Sequence, residues 1–169
     1  RSFIKNTVAS SVLIGLTGTS LSSFSTLSEK KITILHTNDV HSHIDPFPAD
    51  HPKNPNMGGA ARRASVIEQI RKEEKNVLLL DAGDIFQGTP YFNYYGGELE
   101  FKIMSMMQYD VATMGNHDFD NGIDGFHAQL PNAKFDFVSA NYDFTNTVLN
   151  GIVKQIGRAS CRERVYACV

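Results

Sequence analysis

Residues 77–88 read VLLLDAGDIFQG, and this stretch decides the fold. Val77 to Leu80 form a continuous apolar run; from Asp81 onward come two carboxylates, an amide side chain and two glycines. An unbroken apolar run of this length suits a strand covered on both faces, and the abrupt change to polar, turn-forming residues marks its end. The pattern recurs on either side. Ile32 to Leu35 (ITIL) runs into His36-Thr-Asn38-Asp39-Val-His41-Ser-His43, and Val111 to Met114 (VATM) into Gly115-Asn116-His117-Asp118-Phe-Asp120. Phe135 to Ser139 (FDFVS) is a fourth candidate strand.

Helical spacing fills the intervals. Ala60 to Lys75 places Ala64, Ile67 and Ile70 on one face, with Arg71, Lys72, Glu73 and Glu74 closing the segment. Gly97 to Tyr109 carries Leu99, Ile103 and Met106 at helical spacing, and Met104, Met106 and Met107 read as core filler. Strand–helix–strand alternation predicts an α/β fold with a largely parallel sheet. Residues 45–58, DPFPADHPKNPNMG, form a Pro-rich loop long enough to be functional or mobile. No internal repeat is present.

In open α/β sheets the carboxyl ends of the strands line the ligand crevice. Three clusters of oxygen and nitrogen donors arriving at that edge are expected to converge on one site. Carboxylate, imidazole and amide oxygen suit Mn, Fe, Zn, Mg or Ca, whereas no thiolate accompanies them. A carboxylate such as Asp84 can bridge two ions, and a bridged pair lowers the pKa of a shared water toward neutrality. Gly83 and Gly115 permit tight turns beside the ligands.

The chain has 169 residues, 41% of them hydrophobic and 20% charged, with a net charge of -2. That is enough for one domain with a real core, and it carries no basic nucleic-acid footprint. Its two ends read differently from the middle. Arg1 and Lys5 precede a soft apolar run, Thr7 to Gly18, and a Ser/Thr-rich stretch to Ser28, which together describe an export signal over residues 1–28. The opening RSFIK also resembles the second half of a twin-arginine motif. The run is too short for a membrane span, which takes about 20 apolar residues. At the other end, Ile156 to Val165 (IGRASCRERV) is what a common sequencing-library adapter would encode, so residues 156–169 read as a non-native tail. Both cysteines, Cys161 and Cys168, fall there, leaving no disulfide framework in residues 29–155. Without its ends the chain is distinctly acidic, so an anionic substrate would need bound cations to attract it.

HTNDVHSH (36–43), GDIFQG (83–88) and GNHDFD (115–120) resemble the first three signature blocks of the calcineurin-like metallophosphoesterases. The wording is most similar to the 5'-nucleotidase and UDP-sugar hydrolase branch, over roughly residues 31–145. The resemblance implies the N-terminal part of a four-layer αββα sandwich in residues 29–155. It implies two divalent metal ions, with Asp39 and His41 on the first, Asp84 bridging and Asn116 on the second. His117 would stabilise the transition state or protonate the leaving oxygen, oriented by Asp120. The implied activity is hydrolysis of phosphate esters of small substrates, nucleotides foremost, by a hydroxide held between the metals, in an exported protein of the periplasm or cell exterior. Nucleic-acid polymers and a stable membrane span are not implied.

The family also takes ligands from His-containing blocks further along, and after His117 this sequence holds only His127, outside any such pattern. His127 reads as a helix-surface residue, His36 as a packed strand-end residue, and His43 as either a support for the metal site or a polar loop residue. Asp81 and Asp118 either orient the ligands or cap turns. Arg62 and Arg63 read as a solvated face, with an anionic substrate as the alternative. Tyr91, Phe92, Tyr94 and Tyr95 read as a packed loop, with base stacking as the alternative. The enzymatic runners-up are a cyclic-nucleotide phosphodiesterase and a sugar-nucleotide pyrophosphatase; the non-enzymatic one is an α/β domain holding a structural metal.

Overall fold

A computed structural model describes residues 30–157. The export signal read at residues 1–28 lies outside the described residues, as does the tail beyond Gly157. Five short strands, β1 (Thr33–Thr37), β2 (Val77–Asp81), β3 (Val111–Ala112), β4 (Asp136–Ser139) and β5 (Lys154–Gln155), lie side by side in chain order, every pair parallel. Thr37 is level with Asp81, and Asp81 with Ala112. The first three strands therefore finish in line, and the loops that follow them leave from one edge.

Four helices join them: α1 (Ala60–Glu73), α2 (Pro90–Tyr95), α3 (Glu98–Met106) and α4 (Gly122–Gln129). Parallel neighbours taken in chain order need crossovers of one hand, which puts the connecting helices on one side of the sheet. The core forms there, where Ile67 of α1, Phe101 and Met104 of α3 and Phe126 of α4 meet Leu79, Ala112 and Phe137 of the strands. Phe101 and Phe126 are wholly buried, and their rings lie 5.2 and 5.0 Å from that of Phe137. Burying one such ring stabilises the fold by about 1.5–3 kcal/mol. Arg71 ties the end of α1 to that of α3, donating to the carbonyls of Met107 and Gln108 at 2.6 Å each. Pro90 opens α2, and Gly96, with φ of 60°, closes it in the left-handed conformation.

Several sequence expectations change. The apolar strands were expected to be covered on both faces, yet Ile32 and Ile34 are 60% and 57% exposed. Among the described residues, helices cover one face only. His36 is exposed on β1 rather than packed. Helix α3 is turned so that Glu100, Phe101 and Met104 are buried, which leaves Met106 at the surface while Met104 and Met107 join the core. Residues 90–95 are a helix, not a loop: Phe92 is core and Tyr94 is exposed. Helix α4 and strand β5 had no strong periodic signal, being short and, for β5, entirely polar.

Candidate metal and catalytic site

The loop after β1 lies zippered along the loop after β2. The N–H groups of Asp39, His41 and Ser42 donate to the carbonyls of Gly83, Asp84 and Ile85 at 3.0, 3.0 and 2.9 Å. This pairing brings Asp39, His41 and Asp84 together, with one donor atom from each within 4.8 Å of the others, so the group could hold a metal ion. His41 Nε2 stands 3.7 Å from Asp39 Oδ1 and 3.9 Å from Asp84 Oδ2. Its Nδ1 lies 3.3 Å from the Phe86 carbonyl, which can only accept; a neutral ring bonded there would carry its proton on Nδ1 and offer the Nε2 lone pair to an ion held with the two carboxylates.

All three residues of this group have left-handed backbones, with φ of 50°, 48° and 55°. Each such conformation costs a side-chain-bearing residue about 1–3 kcal/mol, and such strain concentrates at functional sites. Two carboxylates held close to each other by strained backbone also repel unless a cation lies between them. The donor set therefore fits a hard or borderline divalent ion.

The loop after β3 is clamped to this pair by Asp118. That carboxylate, 1% exposed, accepts four backbone N–H bonds: from Asp84 and Gly115 at 2.9 and 2.8 Å on one oxygen, and from Ile85 and Phe86 at 2.9 and 3.0 Å on the other. Burial pushes its pKa up to about 6 against the pull of those donors toward the ionised form. Gly115 was expected to serve a tight turn. Its reason is space: a Cβ there would sit 2.2 Å from Asp84 Oδ1. Gly83 does need its freedom, with φ of 97° and a virtual Cβ 2.4 Å from the Gly115 nitrogen.

The His117 backbone N–H donates to Asp84 Oδ1 at 3.0 Å, and its ring packs edge-on against that of His41 with centroids 5.4 Å apart. His117 Nδ1 meets Asp120 Oδ2 at 2.9 Å, and the same oxygen accepts from Gln87 Nε2 at 3.1 Å. The bond to Asp120 holds the His117 pKa above the ordinary imidazole value, and the same bond keeps Asp120 below the usual carboxylate range. An imidazole so arranged keeps Nε2 free for another group. Asn116 is exposed beside it, at the start of the 3-10 turn His117–Phe119.

Beneath the loops lies a buried polar chain. Tyr109 and Thr37 hydroxyls meet at 2.7 Å, and Thr37 donates to Asp81 Oδ2 at 2.5 Å, so the Tyr109 proton points to Thr37. Burial raises the pKa of both Asp81 and Tyr109. Arg63 turns inward near Asp81 and Tyr109 and is not the solvated residue expected; Arg62 stays outside, bonded to the Asn56 carbonyl. His43 packs at a tilt against Phe47 with ring centroids 4.8 Å apart, and His127 is half-buried in α4. The bond from Gln87 to Asp120 and the clamp by Asp118 are relations between distant loops, for which spacing along the chain offers no signal.

A family model for calcineurin-like phosphoesterases matches residues 32–167. The chain belongs to the calcineurin-like phosphoesterase family. Membership implies divalent metal ions, which the chemistry of Asp39, His41 and Asp84 accommodates. This phosphoesterase chain is 49% identical over 115 residues to the snake venom 5'-nucleotidase of Naja atra, covering 66% of this chain and 22% of that protein. It is 47% identical over 116 residues to the 5'-nucleotidase of Homo sapiens, covering 66% and 20%. The solved 5'-nucleotidase precursor from Thermus thermophilus superposes with a TM-score of 0.66 at 38% identity, covering 73% of this chain and 25% of that one. The chain thus spans about a fifth of the length of the curated relatives it matches. Among the described residues, no helix is long and apolar enough to cross a membrane.

Proposed function

We propose that this phosphoesterase hydrolyses phosphate esters of nucleotides with the help of two divalent ions. The observation that carries the reading is the meeting of Asp39, His41 and Asp84 beside the His117–Asp120 pair. In it, Asp39 and His41 would hold the first ion, Asp84 would serve both, and Asn116 would hold the second. The ions, once bound, supply an acidified water as nucleophile and neutralise charge on the phosphoryl oxygens. His117 acts on the substrate through Nε2: with Nδ1–H bonded to Asp120, an added proton at Nε2 can pass to the leaving ester oxygen as the P–O bond breaks. Asp120 favours that protonated ring, which is the direction of the His117 pKa. Gln87 holds Asp120 in place. The relatives named 5'-nucleotidase support nucleotides as the substrate class.

The test uses the full-length protein. Phosphate release from a nucleoside 5'-monophosphate should depend on Mn²⁺ or a similar ion, cease on exhaustive chelation, and exceed the rates on a cyclic nucleotide and a nucleotide-sugar. Full activity after chelation would discard the metal mechanism, and preference for either competitor would move the assignment to that class.

We read residues 1–28 as an export signal, 29–155 as the phosphoesterase segment and 156–169 as non-native. N-terminal sequencing of the mature protein and resequencing of the locus across the Gln155 codon test these boundaries. An intact N-terminus on cytoplasmic protein overturns the first, and independent recovery of the CRERV codons overturns the last.

A further inference from the structure

We propose that Glu100, reaching up from α3, is a positioning residue for the candidate metal loop, acting through Ser42. The inference rests on the metal-site reading above.

Ser42 follows His41 directly and faces the opposite way, into the protein. It is 1% exposed and has a φ of 58°, a conformation a serine does not adopt unless its surroundings hold it there. Three contacts do so. Its N–H donates to the Ile85 carbonyl at 2.9 Å, its hydroxyl donates to Glu100 Oε1, and Thr89 Oγ1 stands 2.8 and 3.0 Å from its carbonyl and hydroxyl oxygens. Of these, the bond to Glu100 is the one that reaches out of the ligand-bearing loops to a helix of the scaffold.

Glu100 is 4% exposed, in a helix whose other buried residues are Phe101 and Met104. A carboxylate in such a place costs stability that an apolar side chain of similar size would not. Its second oxygen, Oε2, has no hydrogen-bond partner, nor does Arg63 Nε. Both residues line one cavity of about 10 Å³ together with Ser42, His43 and Ile44. That is room for a single water, which would join the cation to the carboxylate. Arg63 and Glu100 thus share this cavity, while Glu100 Oε1 stays committed to Ser42. Because the Ser42 backbone is continuous with that of His41, fixing the one fixes the direction of the other. Glu100 thus sets where His41 Nε2 and Asp39 stand relative to Asp84.

Partners that orient metal ligands typically matter by about 10- to 100-fold in metal affinity. The experiment measures Mn²⁺ affinity by electron paramagnetic resonance, and the visible spectrum of the cobalt-substituted protein, in full-length wild type and variants. Glu100→Leu should weaken Mn²⁺ binding by about 10- to 100-fold and change the cobalt spectrum. Glu100→Gln, which retains an oxygen acceptor for Ser42, should bind close to wild type. Ser42→Ala should weaken binding like Glu100→Leu, and the double variant should be no worse than either alone. Folded Glu100→Leu with wild-type affinity and spectrum overturns the proposal, as does additivity in the double variant. Should Glu100→Leu fail to fold, wild-type affinity in Ser42→Ala overturns it equally. Absence of Mn²⁺ binding by the wild type would instead refute the metal-site reading itself.

Discussion

Asp84 Oδ1 accepts the backbone N–H of His117 at 3.0 Å, so the carboxylate at the centre of the acidic group also fixes the turn that carries the second imidazole. One side chain thus serves the proposed metal site and the placement of the proposed acid. Asp84→Ala should abolish both functions, and Asp84→Asn, which keeps the oxygen for the His117 N–H, should lose metal while leaving His117 placed. Metal content by plasma mass spectrometry, beside the His117 ring signals in an NMR spectrum, separates the two. Stoichiometric metal in Asp84→Ala would count against Asp84 as a ligand.

His117→Asn should lower kcat by about 10²- to 10⁴-fold, the usual range for a general acid, without removing metal. The loss should be greater for a poor leaving group than for a good one. Asp120→Asn should cost less, because the carboxylate only orients the ring and stabilises its protonated form. An equal defect for both leaving groups, together with lost metal, would make His117 a ligand.

Gly115→Ala places a methyl group where Asp84 Oδ1 now lies, 2.2 Å from the new carbon. Overpacking of this kind costs about 1–3 kcal/mol. The carboxylate must swing away, so metal affinity should fall more than thermal stability does. Calorimetric metal titration set against the melting temperature checks this; unchanged affinity would mean the site relaxes around the methyl.

Asp118→Ala leaves four backbone N–H groups, two of them buried and two half-buried, without their acceptor. An unsatisfied buried donor costs about 1–3 kcal/mol, so the total loss should be on the order of 3–5 kcal/mol once water enters the gap. Urea unfolding of the purified protein measures it. A loss below about 1 kcal/mol would show that Asp118 is not the clamp.

Asp81 supplies a pH dependence whose sign follows from its raised pKa. Below the ordinary Asp pKa of about 4 the group is protonated in both folded and unfolded chains. Above it the unfolded chain ionises first, so this group's contribution to stability falls as pH rises through the folded pKa. Asp81→Asn cannot ionise. Its stability relative to wild type should therefore improve as pH rises above about 4, and a pH-independent difference would show that Asp81 titrates normally.

Much of this was legible in the chain itself. VLLLDAGD announced a strand ending in ligands because burial selects apolar residues right up to the edge where chemistry begins, and β2 runs Val77–Asp81. The meeting of Asp39, His41 and Asp84 followed from two such ends side by side in one parallel sheet, with the third bringing His117 beside them. What stayed hidden were relations that depend on which way a side chain turns. Glu100 stood out in no spacing of its helix, yet it faces inward to Ser42, 58 positions earlier. Arg62 and Arg63 are neighbours with identical chemistry, and only the rotation of α1 sends one out and the other in. Met106 failed for the same reason, a helical phase misjudged by one position. The exposed face of β1 could not be foreseen, because an apolar run records what a strand is built to touch.

The lining-up of Thr37, Asp81 and Ala112 also bears on the order of events as the chain folds. No two of the three loops meet until a long crossover has closed, and all three meet only after two have; such non-local pairings form slowly. A metal ion would thus find its ligands assembled only after the rate-limiting step. Bound ions should then leave the folding rate almost untouched and act as a brake on unfolding alone, prolonging the lifetime of a structure they had no part in building.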